Sequence, residues 1–358
     1  MQEVRGSSPL SSTTLFSIFF ADACLRVAVL ILNLSLGPHA CKLAPPMETS
    51  QRDEQFYRSM VRMRAVETEL LALSSAGQLR GSLHLAQGQE ALPAGAGAAL
   101  RKDDYVTATY RGHGYVLAKG GPLLPIIAEI LGKAAGLGGG KGGKMHLFDL
   151  EYGILGTNGI VGAAVGTAAG AAWAAQLQKT DRVALTVCGD GALNQGHVSE
   201  CMNMAVLYQL PLIILCENNL YSEMTPLSRS HGDVNLAGRA AGFGLNTAQI
   251  DGNDPEAVYQ VMSEAVNRAR TGGGPTFIEA ATYRTIGHYQ ADSGIGYRTA
   301  EEVEAWRAKS PLDHWAAKLG KRAPAIAAEE QAAVRAVFEE AWALPGPDPL
   351  AAGTQVFA

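Results

Sequence analysis

The sequence is short of charge. Acidic and basic residues make up 18% of its 358 positions, below the roughly 25% of an average domain. The small excess is negative, −5 at pH 7, which argues against a nucleic-acid binder held by phosphate contacts. Cysteine is sparse too. Five residues, an odd count without a CxxC pair, exclude a disulfide framework, disfavour a zinc ribbon and point to a reducing compartment, the cytoplasm. No internal repeat or long linker precedes residue 300. Glycine is what the chain has in excess: 41 residues, against a usual share of about 7%. Little charge with much glycine predicts surface covered by a partner, and loops that bring bare backbone up to a ligand. Apolar residues, 47% of the chain, supply a full core and exclude general disorder.

One apolar run sits near the start. Residues 15–36 are broken by Asp22 and Arg26, whereas a spanning helix wants about 20 apolar residues with few charges. Arg5 is offset by Glu3, so the basic leader of a secretory signal is missing. Residues 1–46 are read as an N-terminal extension, disordered or an upstream translation artefact with Met47 as the true start. A targeting segment and an anchor are the alternatives.

From Met47 the pattern is that of an α/β protein. Phe56, Met60, Met63, Val66, Leu70 and Leu73 recur at spacings of three and four, one buried helical face. Small residues over 88–100 and 161–178 predict close-packing helices, and the glycine run 136–143 predicts a loop. Residues 182–188 form an apolar run of strand length, 194–209 a helix, and 212–216 a second run. Strand, helix and strand in so few residues make a βαβ unit and hence a parallel sheet. Asp254-Pro255 opens a helix to about 270, and 275–284 reads as a further strand, with Pro255 at the first helical position, where its missing N–H costs nothing. The tail from Thr299 is Ala/Glu-rich and helical, ending in a Pro/Gly stretch at 345–349. The division is thus 1–46 extension, 47–320 one α/β domain, and 321–358 helical tail.

Two strand ends carry the chemistry. Gly189-Asp190-Gly191 follows one run directly, and Asn218-Asn219 closes the next, with 26 residues between them. In a parallel sheet both lie beyond the carboxyl edge, where ligands bind. A carboxylate and an amide oxygen suit Mg²⁺, which takes the rest of its oxygens from phosphate and water. Each motif alone would be an ordinary tight turn; the spacing, strand context and polarity together match a thiamine-diphosphate motif.

Further segments follow in order: RGSLHLAQGQEA (80–91), TYRGHGYVLAKG (109–120), GKGGKMH (140–146), NGIVGA (158–163), GDGALNQG (189–196), ENNLYS (217–222) and YRTIGHYQADSGIGYRT (283–299). Together they resemble the alpha subunit of thiamine-diphosphate-dependent 2-oxo acid dehydrogenases, from about Phe56 to about Pro311. The resemblance implies a parallel-sheet thiamine-diphosphate-binding fold. It also implies that Asp190, the Asn219 side chain and the Tyr221 carbonyl hold Mg²⁺. Tyr110, Arg111, Arg284 and the main chain of Gly191 and Ala192 would bind the diphosphate; arginine's planar fork suits that task. Gly159 and Val161 would bond the aminopyrimidine ring through their main chain. His288 would lie beside the reacting carbon of the cofactor, and His84 would face the substrate. His113 and His146 stay open between site and structure, His197 reads as structural, and Cys188, Cys201 and Cys216 as core residues.

The same resemblance implies a separate beta subunit bringing the pyrimidine-binding domain and an activating glutamate, since only about 60 residues of helical tail follow the α/β domain. A two-alpha, two-beta heterotetramer and a lipoyl acyltransferase core complete the expected partners. Pyruvate leads as substrate, then acetoin, then a branched-chain 2-oxo acid. Two positions depart from the family: Lys144 stands where serine is usual, and Tyr289 follows His288 where animal pyruvate enzymes carry a regulatory serine, although Ser293 is near. The rivals from other classes are a P-loop NTPase, since Gly138, Gly143 and Lys144 satisfy GxxxxGK, a GxGxxG dinucleotide loop, and a non-catalytic scaffold. The first lacks the Ser/Thr that follows the lysine, and neither glycine motif is entered from an apolar strand.

Overall fold

The computed structural model describes residues 48–79 and 81–350. The apolar stretch 15–36, the alternative start at Met47 and the end of the tail, 351–358, lie outside the described residues.

The predicted N-terminal helix is α1, Thr49–Ser75, with Phe56, Met60, Met63, Val66 and Leu70 buried. The small-residue segment after it is α2, Ala91–Ala98. Its glycines serve contact: a Cβ on Gly95 would sit 2.5 Å from the Pro255 carbonyl and 2.7 Å from Val258 Cβ, so only glycine admits the neighbouring helix this close. Then come β1 (Tyr105–Thr109), α3 (His113–Ala118), α4 (Leu123–Ile130), β2 (Ile154–Asn158) and α5 (Ala163–Leu177). The predicted βαβ unit is β3 (Ala184–Gly189), α6 (Gly196–Leu207) and β4 (Leu212–Asn218). A two-stranded antiparallel pair, β5 (Tyr221–Ser222) and β6 (Thr225–Pro226), leads to short helices α7 (Leu227–Ser230) and α8 (Leu236–Ala241). After β7 (Asn246–Asp251) comes α9 (Pro255–Arg270), with Asp254 accepting a bond from the Glu256 amide as its cap and Pro255 in the first turn. Strand β8 (Thr276–Ala281) and helices α10 (Ala300–Arg307), α11 (Pro311–Leu319) and α12 (Ala323–Ala343) follow among the described residues.

Six strands form one parallel sheet in the order β2-β1-β3-β4-β8-β7. Alternate residues of the central strands serve two cores. Leu185, Val187, Ile213, Leu215 and Ile278 pack into one, and Ala184, Cys188, Leu212, Ile214, Cys216 and Phe277 into the other. A sheet covered on both faces needs apolar residues at every position, which is why 182–188 and 212–216 read as unbroken runs. A third cluster joins Phe56 and Met60 of α1 to Trp315 and Ile326.

Boundaries moved in physically sensible ways. Residues 190–194 form a 3-10 turn before α6, so Asp190 is held in a tight turn rather than a free loop. Strand β4 runs on through Glu217 and Asn218. Beyond Ala281 the chain leaves the sheet, and Arg284 is buried in irregular structure.

Candidate active site

The sheet order reverses between β1 and β3, because the chain leaves β1 for β2 on one side and adds β3 on the other. Such a switch point opens a crevice at the carboxyl edge. A cavity of about 410 Å³ lies there, lined among others by Tyr110, Arg111, Asp190, Asn219, Arg284 and His288. His84, Gly159, Val161, Gly191, Ala192 and Tyr221 line it as well, so every residue expected at the site meets at one place. A larger cavity, about 1190 Å³, runs along residues 285–308 and includes Leu85, but none of the expected site residues lines it.

The acidic side of the crevice begins with Asp190. Its Oδ1 accepts from the Gly191 amide at 2.9 Å, while Oδ2 is buried without a partner. Burial raises its pKa to about 6. The asparagines part company where β4 ends and the Asn219 amide turns back onto the Glu217 carbonyl at 3.1 Å. Asn218 donates back to Glu279 at 2.8 Å, whereas Asn219 donates its side-chain amide to Gln89 at 3.0 Å, and its side-chain carbonyl oxygen, which accepts only a long bond from the Tyr221 amide at 3.4 Å, keeps a lone pair for the cavity. Tyr221 commits its hydroxyl to Glu302 at 2.9 Å, so what it can offer the crevice is main chain. An amide oxygen and a main-chain carbonyl beside a carboxylate are a donor set for a hard divalent cation.

The basic side consists of two guanidiniums. Arg111 donates to the carbonyls of Leu85 and, at 3.2 Å, His288. Arg284 donates to the Glu223 carbonyl at 2.8 Å, and its Nη1 is buried without a partner. Neither forms an ion pair with a carboxylate among the described residues, and burial, with Arg111 beside it, lowers the Arg284 pKa to about 10. Buried cations without anions call for an anionic ligand.

Over this floor stand two imidazoles. The His84 ring lies 4.6 Å from that of Tyr110 and 5.0 Å, edge-on, from that of His288. Burial first, then Arg111, lowers the pKa of His84 to about 3 and of His288 to about 4, so both are neutral at pH 7. Gly159 and Val161 sit at the exposed lip, with Ile160 between them 70% exposed. His113 lies off the site, fully buried against Glu67 at 2.7 Å; Gly162 packs against His197.

Sequence reasoning missed three groups. Glu217 lines the cavity and accepts from the Tyr115 hydroxyl at 2.8 Å. Ser222 presents a buried, unpartnered hydroxyl. Leu220 and Glu223 adopt left-handed backbone, φ 69° and 56°, a conformation that costs a non-glycine residue on the order of 1 kcal/mol and that no composition signal announces. The glycine loop was ambiguous in sequence and is resolved here. Amides of Gly138, Gly140, Gly142 and Gly143 converge on the carboxylate of Glu129 at 2.7, 2.8, 2.7 and 3.1 Å. Its anion cradle is filled from within, which removes the P-loop reading.

The family model of the dehydrogenase E1 component matches residues 58–342. The chain belongs to the dehydrogenase E1 component family. Among its relatives is the alpha subunit of acetoin:2,6-dichlorophenolindophenol oxidoreductase of Bacillus subtilis, 42% identical over 71% of this chain and 76% of that one. The corresponding subunit of Cupriavidus necator is 38% identical over 82% and 90%. The pyruvate dehydrogenase E1 component subunit alpha of Rhizobium meliloti is 40% identical over 76% and 78%. As an E1 component, the chain is a thiamine-diphosphate-dependent oxidoreductase.

Proposed function

We propose that this E1 component is the alpha subunit of a heteromer that oxidatively decarboxylates a 2-oxo acid, pyruvate foremost, and passes the acyl group to a lipoyl acceptor. One observation carries the reading: an unpartnered buried carboxylate oxygen faces, across a single crevice, two buried guanidiniums without anions. Magnesium and a diphosphate satisfy both demands together. Asp190, the Asn219 oxygen and the Tyr221 carbonyl hold the metal. Tyr110, Arg111, Arg284 and the amides of Gly191 and Ala192 clamp the diphosphate. Gly159 and Val161 bond the aminopyrimidine through their main chain.

Bound thiamine diphosphate supplies the nucleophile for the substrate carbonyl and a sink for the electrons left as carboxylate departs. The chain's own part is to orient and to handle protons. Neutral at pH 7, His84 and His288 can each offer an N–H to a substrate oxygen or accept a proton from it.

The exposed lip at Gly159–Val161 supports completion by a beta subunit carrying the pyrimidine-binding domain and an activating glutamate, in a two-alpha, two-beta assembly serving a lipoyl acyltransferase core. The outer face of α5 supports it too: Trp173 stacks on Tyr208 at 5.1 Å, and both rings are exposed beside Leu177 and Leu207. Such a patch is the mark of a covered surface. Among the described residues Cys188, Cys201 and Cys216 are free, in accord with a reducing cytoplasm. Among the described residues no helix is long and apolar enough to cross a membrane.

Acetoin cleavage is the second reading, favoured by the 42% identity to the Bacillus subtilis subunit. Co-expression with the partner chain, then dichlorophenolindophenol reduction with pyruvate or with acetoin, separates the two. Turnover should require thiamine diphosphate and Mg²⁺ and vanish in Asp190→Ala. An intact heteromer that retains no thiamine diphosphate would overturn the reading.

A further inference from the structure

The segment carrying His84 belongs to no helix or strand, yet its backbone is held at four successive residues by side chains from elsewhere. The Leu83 amide donates to Gln290 Oε1 at 2.6 Å. The His84 carbonyl accepts from Lys144 Nζ, the Leu85 carbonyl from Arg111, and the Ala86 amide donates to Glu67. Leu83 and Leu85 are 1% exposed, while His84 between them lines the crevice. Lys144 is the member of this rack that the family resemblance does not explain. Its side chain is buried, and it is brought there by the loop wrapped on Glu129.

We propose that Lys144 is a positioning residue: its ammonium grips the His84 carbonyl and thereby sets the imidazole over the crevice. This deepens the proposed function and rests on it, since His84 matters only if the crevice turns over substrate. The charged and titratable groups facing Lys144 are Glu67 of α1, His113 of α3, Arg111 after β1, and His84 itself. Glu67 favours its proton; burial and Arg111 oppose it and bring its pKa to about 7. Below that pH the grip is a charge-assisted bond, which is about twice as strong as a neutral one. Above it the grip weakens.

The test uses the full chain assembled with its partner, comparing wild type with Lys144→Met, Lys144→Arg and Lys144→Ser. Wild-type kcat should fall on an alkaline limb beginning near neutrality. Lys144→Met and Lys144→Ser should lose at least tenfold in kcat with KM changed less than threefold, and should lack that limb. Lys144→Arg should recover to within about threefold of wild type and move the limb to higher pH, because arginine stays charged. A second readout needs no turnover: carbethoxylation of His84 in the cofactor-free heteromer, followed by peptide mass spectrometry. It should quicken at least threefold in Lys144→Met and not in Lys144→Arg. A Lys144→Met enzyme with wild-type kcat, pH profile and His84 reactivity overturns the proposal. So does equal loss in Met and Arg variants with lowered melting temperature, which would make the residue merely structural. Failure of the wild type to turn over any substrate would instead strike the functional reading, while the carbethoxylation result would still decide the positioning.

Discussion

The glycine loop offers the sharpest quantitative test, because one side chain holds it. Glu129 is fully buried, and its two oxygens accept from four amides, Gly138 and Gly140 on one and Gly142 and Gly143 on the other. A hydrogen bond to a charged group is worth about 1.5–3 kcal/mol. The glycines are half-buried, so water can replace part of what is lost, and a net cost of about 3–5 kcal/mol is expected for Glu129→Ala. Glu129→Gln is nearly isosteric yet keeps only one acceptor oxygen and turns an NH₂ on the other two amides, a loss of about 2–4 kcal/mol. The cost falls on local opening of the loop, so limited proteolysis is the assay, with trypsin cutting at exposed Lys141. When opening is fast relative to cleavage, the rate tracks the open population, and 3 kcal/mol is about 100-fold. If cleavage at Lys141 stayed within threefold of wild type in both variants, the loop would be held by its own turns and the carboxylate cradle would be incidental.

Three other outcomes follow from the same geometry. Gly191→Ala should fold but lose at least tenfold in thiamine diphosphate retention, measured by equilibrium dialysis, because the added methyl would collide with the Ser222 hydroxyl beside the expected diphosphate. Lys144 makes stability pH-dependent: its pKa falls from 10.5 unfolded to about 7 folded, so between those values the unfolded chain binds more protons and wild-type stability rises with pH. Denaturant titrations should show this rise, up to about 5 kcal/mol across the window, in wild type and not in Lys144→Met. Trp173→Glu, on the exposed stacked pair with Tyr208, should reduce recovery of the heteromer on size exclusion while leaving the melting temperature of the chain within about 2 °C.

How far the sequence reached depended on burial. Strands β3 and β4 were legible because both faces are covered, which forces uninterrupted apolar runs between glycine and proline punctuation. Edge strands β2 and β7 went unread: β7, NTAQID, is mostly exposed, and β2 is interrupted by Gly156. The central strand β1 was missed as well, because threonines break its pattern at Thr107 and Thr109. Helices α3 and α4, six and eight residues long, are too short for periodicity to register. At the site, Asp190 and Asn219 were legible because sheet topology alone sends two strand ends to one edge. The Lys144 grip on His84, between residues 60 apart in sequence, and the destination of the Glu129 carboxylate depend on how the glycine loop folds, which local pattern does not encode.

The crevice also has to avoid satisfying itself. Asp190 and Arg284 line the same cavity with opposite charges and attract each other; were they in contact, neither would need a ligand. They are kept apart by what each is bonded to. Asp190 turns one oxygen onto the amide of its own glycine neighbour, and Arg284 is tethered to the Glu223 carbonyl. Glu223 holds a left-handed backbone at φ 56°, and Leu220, three residues earlier, does the same at 69°. The strain of that short segment thus has an identifiable use. It aims a carbonyl at a guanidinium that would otherwise be free to collapse onto the carboxylate. Charges held ready in this way need no reorganisation when a ligand arrives, which is the condition under which buried dipoles and ions act most strongly. The cost is local backbone strain and two desolvated cations, which the free protein carries so that the bound one has its charges in place.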